Sequence, residues 1–376
     1  MLKKLFISTS LLLGIILFFW LFFSFFIKEK QIEKTPTSIE ELQEEKESFS
    51  LPSFREVTDI PLLSPTLSKD GLSILGYHKE TATLYSLNRE TSEKKILIDT
   101  HLSLPIMSLW SENPEISILK TQPQKGSQYF LVNVIEKTIL PLQGEIVYLA
   151  WDSLFEKIIY IQRKNQEEIT FYLAKANGSE NKEIITLSQK GRIDMSAVPQ
   201  SPLISYWPQS SNTKLSPLYQ INLSTGTNKE IFSGKYGANY LYSPNGEKIL
   251  LSWAPEKNGS KLALGIINKY GGQYSDLGFP TLTSKCVWNE TSDVLYCAVP
   301  TEIPQTTIMP DDYLLGKITT TDVFWKINVT TGEKERLVEL SDITQSFDAT
   351  NLLISSDQRS LYFIDKKSQK LYEIKL

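Results

Sequence analysis

Two adjacent carboxylates and a phenol are the residues best placed for binding or chemistry. Asp311, Asp312 and Tyr313 follow Pro310 in the polar segment 300–322. Adjacent carboxylates could hold a hard cation or attract a basic partner. The competing interpretation is a solvated loop in which both carboxylates cap the N-terminus of a short helix. We therefore predict a binding rim here, with no catalytic residue and no metal ligand assigned.

Histidine is scarce, with only His78 and His101 in the chain. Neither has the spacing to a cysteine that a zinc site needs, so no metal and no cofactor are predicted. The repeat described below places His101 in a loop between two units. We expect that loop to lie on the same rim as Asp311, and His101 joins the candidate binding residues.

The two cysteines, Cys286 and Cys297, lie on neighbouring strands of one predicted hairpin. If Trp288 pairs with Leu295, the same register places Cys286 opposite Cys297. An extracytoplasmic location would permit a disulfide between them, and two buried free thiols are the alternative.

Three tryptophans, Trp110, Trp151 and Trp288, occupy equivalent positions in the repeat. A platform for stacking sugars is conceivable. Packing between strands is the preferred interpretation, because the position recurs whatever the ligand.

The sequence contains no G-x-S-x-G, H-E-x-x-H or phosphate-loop motif. Its 39 Lys+Arg against 43 Asp+Glu give a net charge of −4, which excludes a strongly basic nucleic-acid binder. We therefore expect a protein that is not an enzyme and has no nucleic-acid partner.

Residues 5–27 carry no charge. A helix of that length is roughly 34 Å long, enough to span a bilayer. A cleaved signal peptide is the alternative, but no small-x-small site follows. We predict an uncleaved transmembrane anchor in 1–27 through which the protein contacts the membrane.

The positive-inside rule favours a cytoplasmic N-terminus and an extracytoplasmic domain. Residues 28–53, rich in glutamate, predict a solvated flexible linker ahead of a domain at 54–376.

The remaining chain repeats a motif of an apolar strand, a polar turn and a second apolar strand. The residues just before each turn are Leu67, Trp110, Trp151, Val198, Tyr242, Trp288 and Ile354. Their spacings are 43, 41, 47, 44, 46 and 66 residues. A second strand–turn–strand motif follows most copies. Four short strands in such a period indicate a propeller blade. The fold class is therefore all-β, a seven-bladed β-propeller, with six or eight blades possible because copies four and five are degenerate.

Two irregularities of the repeat make further predictions. The last copy has no chain left for an outer strand, so residues 54–60 are expected to supply it and close the ring. The spacing of 66 residues indicates an insertion near 300–322, between the second and third strands of the sixth blade. It should lie beside the axial opening, where ligands usually bind.

The turns Y-S-P-N-G at 242–246 and S-K-D-G at 68–71 resemble the W-S-P-D-G turn of TolB-like, WD-repeat-like bacterial β-propellers. The resemblance covers about 60–376 and implies a binding platform, often in the cell envelope. TolB itself has an extra domain that this sequence does not show, so a role in the Tol-Pal system is not carried over.

The predicted function is a membrane-anchored, non-enzymatic binding or scaffold module for a protein or glycan partner. The alternative is an extracytoplasmic hydrolase or lyase acting on glycan through Asp311, Asp312 or Asp322.

Overall fold

The structure is a computed structural model that describes residues 54–102, 104–122, 127–154, 156–339 and 345–376. The predicted membrane segment 5–27 and the linker 28–53 lie outside these residues. Within the described ranges, no helix is long and apolar enough to cross a bilayer.

The described chain folds into seven antiparallel sheets of four strands each, which confirms the seven-bladed propeller. Blade one contains β2 (Leu62–Leu67), β3 (Ser73–His78), β4 (Leu84–Asn88) and β5 (Lys94–Ile98). Blade two contains β6 (Pro105–Trp110), β7 (Ile116–Thr121), β8 (Gln128–Asn133) and β9 (Thr138–Pro141). Blade three contains β10 (Ile146–Trp151), β11 (Lys157–Arg163), β12 (Glu168–Lys175) and β13 (Lys182–Ser188). Blade four contains β14 (Ile193–Ala197), β15 (Leu203–Pro208), β16 (Leu218–Asn222) and β17 (Asn228–Phe232). Blade five contains β18 (Tyr236–Tyr242), β19 (Lys248–Ala254), β20 (Ala263–Asn268) and β21 (Ser275–Asp276). Blade six contains β22 (Cys286–Trp288), β23 (Val294–Pro300), β24 (Asp322–Asn328) and β25 (Lys334–Arg336). Blade seven contains β26 (Ala349–Ile354), β27 (Ser360–Asp365), β28 (Leu371–Lys375) and β1 (Phe54–Glu56).

The first strands of successive blades contact one another and surround the axis, as β2 and β6 do, and β22 and β26. Loops between second and third strands, and loops between blades, lie on one rim of this ring. The hairpin turns that join first to second and third to fourth strands lie on the opposite rim.

The ring closes as predicted, because β1 is the outer strand of the seventh blade. It pairs antiparallel with β28 in a register that sets Phe54 opposite Ile374 and Arg55 opposite Glu373. The Phe54 ring packs 4.8 Å from that of Phe347, between centroids. Arg55 Nε lies 2.7 Å from a carboxylate oxygen of Glu373. The two ends of the described chain therefore share one sheet, which removes an exposed edge.

The core lies between the blades. Second strands are buried on both faces, and every residue of β23 is buried, because each sheet is covered by a neighbour on both sides. One apolar cluster joins blades five and six through Leu250, Leu264 and Trp288. The outer strand β17 is exposed at its first three residues. Stacking of blades around the axis thus supplies the burial that a single sheet lacks.

The turn that carries the family resemblance has a specific hydrogen-bond pattern. Ser243 Oγ accepts from the Lys248 amide at 3.0 Å and donates to Asn245 Oδ1 at 2.8 Å. Ser68 Oγ makes equivalent bonds with the Ser73 amide and with Asp70. A short polar side chain at the first position therefore closes the hairpin by replacing backbone partners.

Candidate functional site

The insertion lies where the sequence placed it, between the second and third strands of blade six. β23 ends at Pro300 and β24 begins at Asp322. The intervening residues 301–321, here called the insert, contain the one-turn helix α1 (Asp311–Leu314). We call the rim that carries this loop the insert rim.

Buried apolar side chains anchor the insert to the propeller. Met309 and Tyr313 are 0% and 4% exposed and form a cluster with Leu262 and Leu282. Leu314 and Leu315, the next two residues, are 50% and 70% exposed. The insert is thus fixed on one side and presents two neighbouring leucines to solvent on the other.

The two predicted site carboxylates hold the insert in place. Asp311 Oδ2 accepts a hydrogen bond from the Asn212 amide of blade four at 2.6 Å. Asp312 accepts from the Ile308 amide and from Lys317 Nζ, each at 2.8 Å. These bonds lower the pKa of Asp312, the backbone bond having the largest effect.

The expected helix-capping role takes a different form here. Pro310 is the N-cap of α1, and no side chain caps the helix by a hydrogen bond. Because α1 is only one turn long, the carboxylates reach amides outside it, one in the preceding turn and one in blade four. Both are therefore engaged with protein groups.

Below Tyr313 lies a buried network of charged groups. Lys285 Nζ is 2.6 Å from Asp322 Oδ2 and 2.7 Å from Asp348 Oδ1. It also lies 2.9 Å from Thr320 Oγ1. The Tyr313 hydroxyl donates to Asp348 Oδ1 at 2.8 Å. The lysine and both aspartates are fully buried, so the insert is joined to blades six and seven through a buried site.

The two aspartates of this network differ in their electrostatics. Burial raises the pKa of Asp322, and the Lys285 charge only partly opposes it. Burial also acts on Asp348, but Lys285 and the Tyr313 hydroxyl outweigh it and the pKa is lowered. Asp322 Oδ1 is buried with no hydrogen-bond partner among the described residues. Asp322 is therefore the weaker acid of the two aspartates that contact Lys285.

Sequence reasoning missed Lys285 and Asp348. They are 63 residues apart in the chain, and neither belongs to a motif. Their positions give the only usable signal, since Lys285 immediately precedes β22 and Asp348 immediately precedes β26. The topology places both residues at the insert rim of neighbouring blades.

His101 lies in the loop between blades one and two and is 83% exposed at its side chain. Its Nδ1 is 3.4 Å from Asp99 Oδ1. The insert contacts blade four through Asn212, blade five through Gly259 and blade seven through Asp348. His101 is on the expected rim but is not among the described partners of the insert.

The cysteine pair has the register that the sequence indicated, with Trp288 opposite Leu295 and Cys286 opposite Cys297. The Cα atoms of the two cysteines are 4.1 Å apart, and the sulfurs are bonded with an S–S distance of 2.10 Å. The disulfide joins the first two strands of blade six, directly below the insert rim.

The three equivalent tryptophans pack between inner strands. Trp110 Nε1 donates to the Ser64 carbonyl at 2.7 Å, and Trp151 Nε1 donates to the Leu109 carbonyl at 2.9 Å. In both cases the acceptor belongs to the preceding blade. Trp288 is 5% exposed within the apolar cluster of blades five and six. The packing interpretation accounts for all three.

In the described part of the chain, no group of three or more His, Cys, Asp and Glu side chains could hold a metal ion. The networks around Asp311, Asp312 and Asp322 use protein donors instead. The arrangement can attach a loop and present a surface.

No protein-family model matches the sequence, and no curated protein matches it. Solved structures do. An oligogalacturonate lyase in complex with manganese is 11% identical over 86% of this chain and 93% of its own, with a TM-score of 0.61. The tricorn protease is 8% identical over 93% of this chain and 35% of its own, with a TM-score of 0.56. TolB from Acinetobacter baumannii is 10% identical over 85% of this chain and 65% of its own, with a TM-score of 0.48. The likeness to the lyase and to the tricorn protease, at these identities and TM-scores, shows a shared fold alone.

The class of protein follows from the fold and its turns. Seven closed four-stranded blades carry the serine-centred turns of the sequence resemblance, at Ser68 and Ser243. The chain is a seven-bladed β-propeller, and these turns resemble those of TolB-like propellers.

Proposed function

We propose that the chain is a membrane-anchored, extracytoplasmic binding or scaffold module whose insert rim binds a protein partner. The observation that carries this is the contrast within the insert. Met309 and Tyr313 are buried and hold the loop, while Leu314 and Leu315 are exposed side by side. Contiguous exposed apolar residues on an ordered surface are typical of protein interaction sites.

The first described strand begins on the opposite rim. β28 starts at the insert rim and runs away from it, and β1 pairs with it antiparallel from Phe54. Phe54 therefore lies at the opposite rim, and β1 runs from there towards the insert rim.

The test is crosslinking of the full-length protein in cells, followed by mass spectrometry of the captured proteins. The informative variant is Leu314→Asp with Leu315→Asp, because both side chains are exposed and the anchoring residues stay in place. Deletion of 303–320 is less informative, since it also removes Met309 and Tyr313 and uncovers Lys285.

Ile135→Asp is the matched control, because Ile135 is 68% exposed in a turn of the opposite rim. We expect the leucine double variant to lose a protein neighbour that both the wild type and the control capture. Equal capture by all three proteins would refute the assignment of the insert rim.

The alternative function is an extracytoplasmic hydrolase or lyase acting on glycan. Its support is the fold shared with the oligogalacturonate lyase at a TM-score of 0.61. Against it, Asp311 and Asp312 are bonded to backbone amides and Asp322 is buried beside Lys285. A general acid or base must reach its substrate proton.

Incubation of the full chain with oligogalacturonate, with and without Mn²⁺, separates the two functions. We expect no unsaturated or shortened products in either case. Turnover by the wild type that is lost in Asp322→Asn would favour the hydrolase or lyase function over the proposed binding function.

A further inference from the structure

A second set of polar residues lies on the insert rim, away from the insert. Lys120 is near the end of β7, opposite Tyr129 in the register of blade two. Its Nζ is 5.1 Å from the centroid of the Tyr129 ring and 5.8 Å from that of Tyr148 in blade three. Lys120 is half-buried. Its ammonium group forms no hydrogen bond or ion pair with any other described residue.

A second cation without an acceptor lies in the next blade. The Tyr148 hydroxyl is 3.5 Å from Asp194 Oδ1. Asp194 is the second residue of β14, and Arg192 immediately precedes that strand. Residues two apart in extended chain share a face, so Arg192 lies on the Tyr148 side. Its guanidinium is exposed and makes no hydrogen bond within the described ranges.

Electrostatics connect these groups. Burial lowers the pKa of Lys120, and the positive charge of Arg192 lowers it further. Burial raises the pKa of Asp194. The cluster thus holds two cations and one carboxylate, and the carboxylate does not ion-pair with either cation. A half-buried ammonium group without an acceptor is costly, and such groups concentrate at binding sites.

A cavity of about 190 Å³ meets the cluster at Tyr129 and is otherwise lined by residues such as Gln128, Gln143 and Gly144. Lys120, Tyr148 and Arg192 do not line it. This cavity opens on the same rim, because it lies between the start of β8 and the end of β9.

We propose that Lys120 and Arg192 bind the carboxylate of a small ligand whose carbon skeleton packs on the rings of Tyr129 and Tyr148. With Asp194 ionised, the cluster has a net charge of +1, which matches a singly charged carboxylate. A phosphate dianion would add a second negative charge near Asp194. The site draws on blades two to four, and it is independent of the insert and of the protein partner proposed for it.

The test measures acylation of Lys120 in the full chain by an amine-reactive ester, residue by residue, by mass spectrometry. The probes are benzoate, benzyl alcohol and phenyl phosphate, which share a ring and differ in charge. We expect benzoate to slow acylation of Lys120 and the alcohol to have no effect. Phenyl phosphate should protect at least tenfold more weakly than benzoate.

Variants check which residues bind the probe. Arg192→Gln should weaken benzoate protection of Lys120 about tenfold, the size expected for one lost charged hydrogen bond. Lys95→Met, which removes an exposed lysine of β5, is the control and should leave protection unchanged.

Binding of benzoate to Lys120→Met, measured by calorimetry, should fall at least about tenfold. The proposal is overturned if benzoate does not protect Lys120, if the alcohol protects equally, or if phenyl phosphate protects as well as benzoate. Loss of the protein partner in the leucine double variant has no bearing on these results.

Discussion

The two rims of the propeller use polar residues in opposite ways. On the opposite rim the same side chains recur from blade to blade. An asparagine ends the third strand of five blades, and its Oδ1 accepts two backbone amides of the following turn. These residues are Asn88, Asn133, Asn222, Asn268 and Asn328.

On the insert rim the polar residues do not recur. Lys285 and Asp348 form a buried network in blades six and seven only, and Lys120 lies half-buried without an acceptor in blade two. A polar residue that repeats with the blade is explained by the blade. A polar residue that occurs in one blade is not explained by the structure of the repeat. We therefore expect the functional residues on the insert rim.

The largest expected effect comes from the buried network of the insert rim. Lys285→Met removes the ammonium group that contacts both buried carboxylates, and the side chain of Lys285 is 1% exposed. Breaking a buried charge network by removing one partner costs about 3–5 kcal/mol. Urea unfolding of the full chain, followed by tryptophan fluorescence, measures the loss.

Lys95→Met, at an exposed position of β5, serves as the reference and should change stability by less than about 0.5 kcal/mol. Adding Asp348→Asn to Lys285→Met should restore part of the loss, because one uncompensated charge is removed. A single variant as stable as the reference would show that the network does not hold the rim.

The disulfide of blade six is the next largest effect and also occurs only once. Trp288 opposite Leu295 corresponds to Trp151 opposite Ile158 in blade three, so Leu149 and Tyr160 pair there where the cysteines pair in blade six. The closed loop spans 11 residues. A loop of that size predicts that reduction lowers the free energy of unfolding by about 2–3 kcal/mol.

Unfolding midpoints with and without a reductant measure this difference. A Cys286→Ala, Cys297→Ala variant should not respond to the reductant. Two titratable thiols in the untreated, unfolded protein would contradict the disulfide.

The repeated features of the fold could be predicted from the sequence. The spacing of the first-strand turns indicated seven blades, the closing strand at 54–60 and the insertion before Asp322. Each of these follows from a period, which a single sequence displays. The Cys286–Cys297 register followed in the same way from Trp288, because pairing within a hairpin is local.

The functional candidates were harder to predict because they are not periodic. Asp311 and Asp312 were singled out by their chemistry, but whether Asp311 faces solvent or binds an amide depends on Asn212, which is 99 residues earlier. Lys285 meets Asp348, and Lys120 meets Tyr148, only when blades stack. Such contacts are set by tertiary packing, which leaves no pattern in the local sequence.

The smallest effect tests the opposite rim and the idea that repeated residues are structural. Ser243→Ala and Ser355→Ala each remove a hydroxyl that accepts the amide five residues later and donates to an Asn245 or Asp357 side chain. Each should cost about 1 kcal/mol, the net value of a typical hydrogen bond, since the amide of the hairpin loses its partner. Because Ser355 donates to a carboxylate and Ser243 to a neutral amide, Ser355→Ala should cost at least as much as Ser243→Ala in urea unfolding. Both variants should capture the same protein neighbour as the wild type in cells. A serine variant that keeps its stability but loses the captured neighbour would place a binding function on the opposite rim. That result would contradict the assignment of structural residues to the opposite rim and of function to the insert rim.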